Sequence, residues 1–235
     1  MRSPSSVPRP RRRRAALTAV VAVALALTAC GSGGSGKANS GGVVVGSSSA
    51  PAGGYDGDQL DQSVVLSAAD LSAPFRASTG ATTTLGKVGQ GRLMLLYFGY
   101  THCPDVCPTT MADLGLALKQ VPTQIALRTQ VVFVTSDPVR DTPPVMKAWL
   151  DNFDSGLPLP FVGLTASLSQ IDRIATSVGV PLSPPVTNPN GSITVEHGAQ
   201  TMAFRDGKAN LLWLAGTSVS DYSHDIDRLF ESGSS

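Results

Sequence analysis

Cysteine is scarce in this 235-residue chain, with only Cys30, Cys103 and Cys107. A disulfide between the last two would close a very small loop and add little as a structural staple. That argues for a chemical role over a scaffolding one. Charge is scarce too: 15% of residues are Asp, Glu, Lys or Arg, against 42% apolar, which suits a globular body with weakly charged loops. No Asp or Glu precedes Cys30, whereas six of the 18 basic residues (Arg2, Arg9, Arg11, Arg12, Arg13 and Arg14) do. The rest of the chain therefore holds 12 basic and 17 acidic residues, a formal net of −5. Such a body gives no reason to expect nucleic acid as a partner. There is no internal repeat and no second hydrophobic core, so one domain with appendages is expected.

Residues 1–29 read as an export signal: a basic stretch ending at Arg14, then Ala15 to Leu27, an apolar run short for a membrane span. Leu27-Thr28-Ala29-Cys30 followed by Gly31 resembles a bacterial lipobox, which makes Cys30 the lipidated first residue of the mature protein. An uncleaved anchor and an ordinary signal peptide are the alternatives. The arginine run does not separate general secretory from twin-arginine export. Residues 30–58 are the lipidated cysteine and a Gly/Ser-rich tether, without an aromatic residue between 31 and 54. A flexible chain of that length reaches roughly 25–30 Å. The expected location is the outer face of a bacterial cell membrane, lipid-anchored and extracytoplasmic.

The folded body is expected over 59–235. Residues 60–90 show few helical signals, and Ser78-Thr79-Gly80-Ala81 reads as a hairpin turn. Strands are expected at 93–99, 131–136 and 160–164, and helices at 108–120, from Thr142, and at 168–178 behind Thr165 or Ser167 as cap. Residues 181–192 form a proline-rich loop. Asp206-Gly207-Lys208 between two apolar runs predicts a closing hairpin, and 219–231 a last helix. The order implies an α/β, thioredoxin-like fold: a mixed central sheet, helices on both faces, and an extra N-terminal β-hairpin.

Cys103 and Cys107 fall where a strand gives way to a helix, which is where open α/β sheets bind ligands. If the helix starts at or before Cys103, the i,i+4 spacing turns both sulfurs to one face. A helix N-terminus there favours thiolate, and an exposed loop favours reactivity. The pair is then suited either to a disulfide or to a soft metal.

The stretch Tyr97-Phe98-Gly99-Tyr100-Thr101-His102-Cys103-Pro104-Asp105-Val106-Cys107-Pro108 resembles the signature of the Sco/SenC family, copper-handling factors for cytochrome c oxidase. Ser136-Asp137-Pro138-Val139-Arg140-Asp141-Thr142-Pro143 and Phe161-Val162-Gly163-Leu164-Thr165 agree with it, over about residues 70–230. The resemblance implies Cys103, Cys107 and His197 as copper ligands. Glu196 stands where the family commonly has Asp. Two thiolates and an imidazole suit Cu(I); Cu(II) would recruit a fourth ligand, and zinc is the alternative metal by ligand type.

The function implied is a metallochaperone, not an enzyme, that delivers copper to the CuA centre of cytochrome c oxidase subunit II. Its other partner is an upstream copper donor or thiol reductant. The alternative is a thiol-disulfide reductase working through Cys103 and Cys107. His102 is expected to point away from the sulfurs, and His224 to lie on a helix surface. Met111 and Met146 are read as core. Asp105 is a first-turn acid or a partner contact. Asp137, Arg140 and Asp141 are either a charged cluster at the mouth of the site or a helix cap with a surface ion pair.

Overall fold

The computed structural model describes residues 54–183, 186, 187, 189, 193, 194 and 198–231. In chain order these form β1 (Asp58–Val65), α1 (Ala68–Ser72), β2 (Phe75–Ala77), β3 (Thr82–Thr83), α2 (Leu85–Gly89), β4 (Leu93–Gly99), α3 (Val106–Gln120), α4 (Thr123–Ala126) and β5 (Thr129–Thr135). Next come α5 (Pro143–Leu150), β6 (Val162–Thr165), α6 (Leu168–Ser177), β7 (Val186–Thr187), β8 (Ile193–Thr194), β9 (Thr201–Arg205), β10 (Lys208–Trp213) and α7 (Val219–Glu231). The main sheet runs β1-β10-β9-β4-β5-β6-β2-β3. Its centre, β4-β5-β6, is parallel, and every other pairing in it is antiparallel.

Both faces of the parallel centre are covered, so its strands are apolar without interruption. On β4 the side chains of Leu93, Leu95 and Tyr97 join a core with α3, α4, α5 and α7. Met94, Leu96 and Phe98 face the opposite core with α6 and the two short N-terminal helices. This is the expected thioredoxin-like arrangement. The expected N-terminal hairpin is β2–β3, with Gly80 at φ +86° in its turn, and it edges the sheet beside β6. The closing hairpin turns through Asp206 (φ +49°) and Gly207 (φ +78°), both left-handed as a type I′ turn demands.

Four details differ from the sequence reading. Residues 60–90 contain two helical turns, α1 and α2, each capped by a hydroxyl (Ser67, Thr84). α4 was not anticipated, and the 181–192 loop carries β7, paired with β8. α3 starts two residues early, leaving Pro108 inside the first turn, where its missing N–H costs no hydrogen bond. The predicted cap of the 168–178 helix is Ser167, whose side chain accepts from Gln170 N. No helix among the described residues is long and apolar enough to cross a membrane. Residues 1–53, including Cys30, the export signal and most of the tether, lie outside the described residues.

Asp70 links the two sides of the second core. Its carboxylate accepts from Ser67 Oγ at 2.6 Å and Ser67 N at 3.2 Å, and it pairs with Arg173 of α6. Burial raises its pKa, but the Ser67 hydrogen bonds and the Arg173 guanidinium outweigh that, and the net result lies below 3.8. A carboxyl with a depressed folded-state pKa contributes stability above its unfolded pKa and loses it as pH falls through the folded value. Asp70→Asn should therefore be clearly less stable than wild type at about pH 6, with the gap closing below about pH 4. Urea unfolding midpoints of the two proteins across that range would check it, and a gap independent of pH would refute it.

Candidate metal and redox site

Two loops leave the carboxyl ends of β4 and β5, adjacent parallel strands in register from Leu93↔Thr129 to Gly99↔Thr135. Ser136 N donates to Gly99 O at 2.6 Å and holds the two exits together. The first loop carries Thr101, His102 and Cys103 into α3; the second carries Asp137, Arg140 and Asp141 into α5.

Asp141 couples them. Its carboxylate is fully buried and accepts from Thr101 N (3.0 Å), Thr101 Oγ1 (2.6 Å) and Thr135 Oγ1 (2.6 Å). His102 Nδ1 lies 3.0 Å from Thr101 Oγ1 and 3.6 Å from Asp141 Oδ1, with half of its side chain in solvent. Asp137, also buried, pairs with Arg140, whose guanidinium lies over the Tyr100 ring at 5.9 Å. The expected charged cluster thus divides: Asp137 and Arg140 form an ion pair, while Asp141 is an internal acceptor that ties down the cysteine loop.

Cys103 and Cys107 are brought together as thiols that are not joined in a disulfide. Cys107 is the second residue of α3, and its N–H points at Cys103 Sγ, 3.5 Å away. Cys103 itself lies in the loop, so the two residues meet through this N–H···S contact and not through a shared helical face. Asp105 takes the N-cap position without a side-chain hydrogen bond. The exposed, reactive loop expected from sequence is not what forms: Cys103 is 9% exposed and Cys107 0%. The thiolate-favouring helix terminus does not prevail at Cys107 either. Its hydrogen bond with Cys103 and its burial push the thiol well above its ordinary pKa. Tyr97 Oη donates to Cys107 Sγ at 3.5 Å. A β-carbon built on Gly99 would lie 2.9 Å from that sulfur and 2.7 Å from the Tyr97 ring, so only glycine leaves room for it.

His197 lies outside the described residues, as do Val195 and Glu196. Met111 and Met146 are fully buried in the core, as expected. His224 is half exposed on α7, as expected, and its Nδ1 lies 2.7 Å from Asp56 Oδ2 and 3.2 Å from Asp225 Oδ1. These three side chains bring ligand atoms within 4.8 Å of one another. Yet the Asp225 carboxylate already accepts from Asp56 N (2.8 Å), Gly57 N (2.7 Å) and Trp213 Nε1 (2.8 Å). It latches the start of β1 to α7.

The SCO1/SenC family model matches residues 66–231 of this chain, nearly all of its described body. The chain belongs to that family. Among curated relatives, mitochondrial Protein SCO1 of Saccharomyces cerevisiae is 32% identical over 108 residues, 46% of this chain and 35% of that protein. The SCO2-like protein of Rickettsia felis is 39% identical over 85 residues, 36% of this chain and 39% of that protein. The chain spans half or less of the length of the first curated relatives it matches. The solution structure of apo Sco1 from Thermus thermophilus superposes with a TM-score of 0.62 at 28% identity, covering 74% of this chain and 96% of that one. The copper-bound ScoI of Bradyrhizobium japonicum gives 0.55 at 28% identity, covering 66% and 95%.

Sequence reasoning missed three residues here: Tyr97, Gly99 and the internal role of Asp141. Period-2 alternation puts Tyr97 and Gly99 on one face of β4, a usable signal. Asp141→Ala should cost on the order of 3–5 kcal/mol, because the buried Thr135 hydroxyl and two half-buried Thr101 donors lose their acceptor. The Thr101 amide should then exchange with solvent faster than amides in the middle of β4. Equilibrium unfolding and hydrogen exchange would check this; wild-type protection at Thr101 would refute it.

Proposed function

We propose that this protein is a copper chaperone, tethered to the outer face of the cell membrane through lipidated Cys30, that delivers copper to the CuA centre of cytochrome c oxidase subunit II. The observation that carries the reading is a pair of buried, adjacent thiols at the strand ends of a SCO1/SenC domain. A homologous structure, ScoI of B. japonicum, was solved with copper bound. Two soft sulfurs in a water-poor pocket suit Cu(I), a soft ion of low coordination number. His197 supplies the third ligand in this reading, by family resemblance.

Copper here is cargo. It arrives from a donor and leaves by ligand exchange, in which an acceptor thiol takes the place of a chaperone thiolate and gives up its proton to it. Oxidation state need not change. A sulfur that is hard to deprotonate when empty still loses its proton to solvent as the metal binds, because the metal–thiolate bond replaces the S–H bond in the same pocket. Asp141 and Thr101 hold the loop that carries Cys103, a residue 9% exposed, while Cys107 is 0% exposed.

The alternative reading, a thiol-disulfide reductase that keeps acceptor cysteines reduced, uses the same pair. Both readings need a partner sulfur to reach the pair, and Cys103, 9% exposed, is the accessible member where Cys107 is 0% exposed.

Anaerobic Cu(I) titration of the reduced protein against a competing chelator separates the two readings. One tightly held copper is expected, with tight binding lost, at least about 100-fold in affinity, in each of Cys103→Ala, Cys107→Ala and His197→Ala, more than the loss of an outer-shell partner costs. Wild-type affinity in His197→Ala would remove it from the ligand set. Weak binding by the wild type, with disulfide reduction that depends on Cys103, would favour the reductase.

A further inference from the structure

The two sulfurs are not equivalent, and the difference originates on β4. Cys103 Sγ sits in the loop and accepts one backbone N–H, that of Cys107. Cys107 Sγ is sealed in the core and accepts the Tyr97 hydroxyl, with the Tyr100 backbone N–H as a further donor. The Tyr97 phenol is itself fixed: its ring is fully buried and stacked on Phe133 at 6.2 Å, and the Thr110 hydroxyl bonds to it one turn along α3 from Cys107.

We propose that Tyr97 is a positioning residue for Cys107: its hydroxyl holds that sulfur on the core side of the loop, so that Cys107 is the retained sulfur and Cys103 the one that exchanges. The part concerning copper rests on the chaperone reading; the part concerning the thiols does not. In the exchange step an incoming protein thiol forms a new sulfur–copper bond and the bond from copper to Cys103 breaks. The proton of the incoming thiol passes to Cys103, and copper stays Cu(I). Throughout, a hydrogen bond from Tyr97 stabilises the charge on metal-bound Cys107 and slows its dissociation.

The experiment is a brief iodoacetamide pulse on the reduced, copper-free protein, with alkylation read at each cysteine by mass spectrometry. It is followed by Cu(I) release from the loaded protein to excess glutathione. In the wild type Cys103 should react at least about 10-fold faster than Cys107, as their exposures require. Tyr97→Phe removes one oxygen and keeps the ring. It should speed Cys107 alkylation about 5–10-fold, leave Cys103 within about twofold, and hasten copper release about 10-fold, the range of a lost hydrogen bond to a charged sulfur.

Tyr222→Phe is the control, since it removes a buried hydroxyl from the same core layer, where its ring packs on Trp213 at 5.2 Å. It should leave the ratio of the two rates unchanged even where it lowers stability. Thr110→Val gives a second route, expected to move the ratio in the same direction by less. An unchanged ratio in Tyr97→Phe, or an equal shift in Tyr222→Phe, overturns the positioning role. A collapsed ratio with unaltered copper release overturns the retained-sulfur assignment. Failure of the wild type to bind Cu(I) overturns the chaperone reading and leaves the alkylation result standing.

Discussion

The fully buried Asp141 carboxylate, bonded to Thr101 and Thr135, is the constraint on which the site depends. A lone buried carboxylate costs several kcal/mol unless its oxygens are occupied. Here three donors occupy them, two from the cysteine loop and one from the last residue of β5. A carboxylate suits the position better than an amide would, because it accepts at both oxygens and donates nothing. The loop conformation and the charge therefore stabilise each other. Neither parallel strand could fix its own exit alone, since a strand ends where its ladder ends. Arg140, paired with Asp137 and lying over Tyr100, adds a second tie between the same two loops.

With the loop pinned inward, the sulfurs are pinned inward too, and that decides their chemistry. At Cys107 the helix N-terminus and burial pull in opposite directions. The helix contributes a partial charge near its first turn, and that effect is modest beside removal of a sulfur anion from water. The hydrogen bond with Cys103 and burial prevail together, and the Cys107 thiol lies above its ordinary pKa. A cation that arrives with its own positive charge shifts the balance, because it offsets one of the two thiolate charges it creates inside the pocket.

The elements legible from sequence were those whose cause is local. β4 and β5 could be read because a strand buried on both faces is apolar throughout. The β9–β10 turn could be read because Asp-Gly supplies two left-handed residues. α1, α2 and α4 run four or five residues, too short for a 3.6-residue period to show. α3 starts before the expected residue 108 because Pro108 sits at its third position, not its first. The cysteine pair itself was plain; its burial was not. Burial of Cys103 and Cys107 depends on Asp141, 40 residues from Thr101 in the chain, and on Tyr100 held beneath Arg140. No local pattern encodes a contact of that range.

The order Tyr97-Phe98-Gly99 then gains a physical meaning. Alternation turns Tyr97 and Gly99 to the α3 side and Phe98 to the other core. Gly99 has no side chain, and Cys107 Sγ occupies the space one would fill. Tyr97, two residues back on the same face, puts its hydroxyl at the edge of that space. The strand thus forms a socket for one sulfur, and the loop held by Asp141 carries the other across its mouth. An alanine at 99 would evict the sulfur, and a phenylalanine at 97 would leave it seated without its donor. These two positions therefore separate room for the sulfur from control over it.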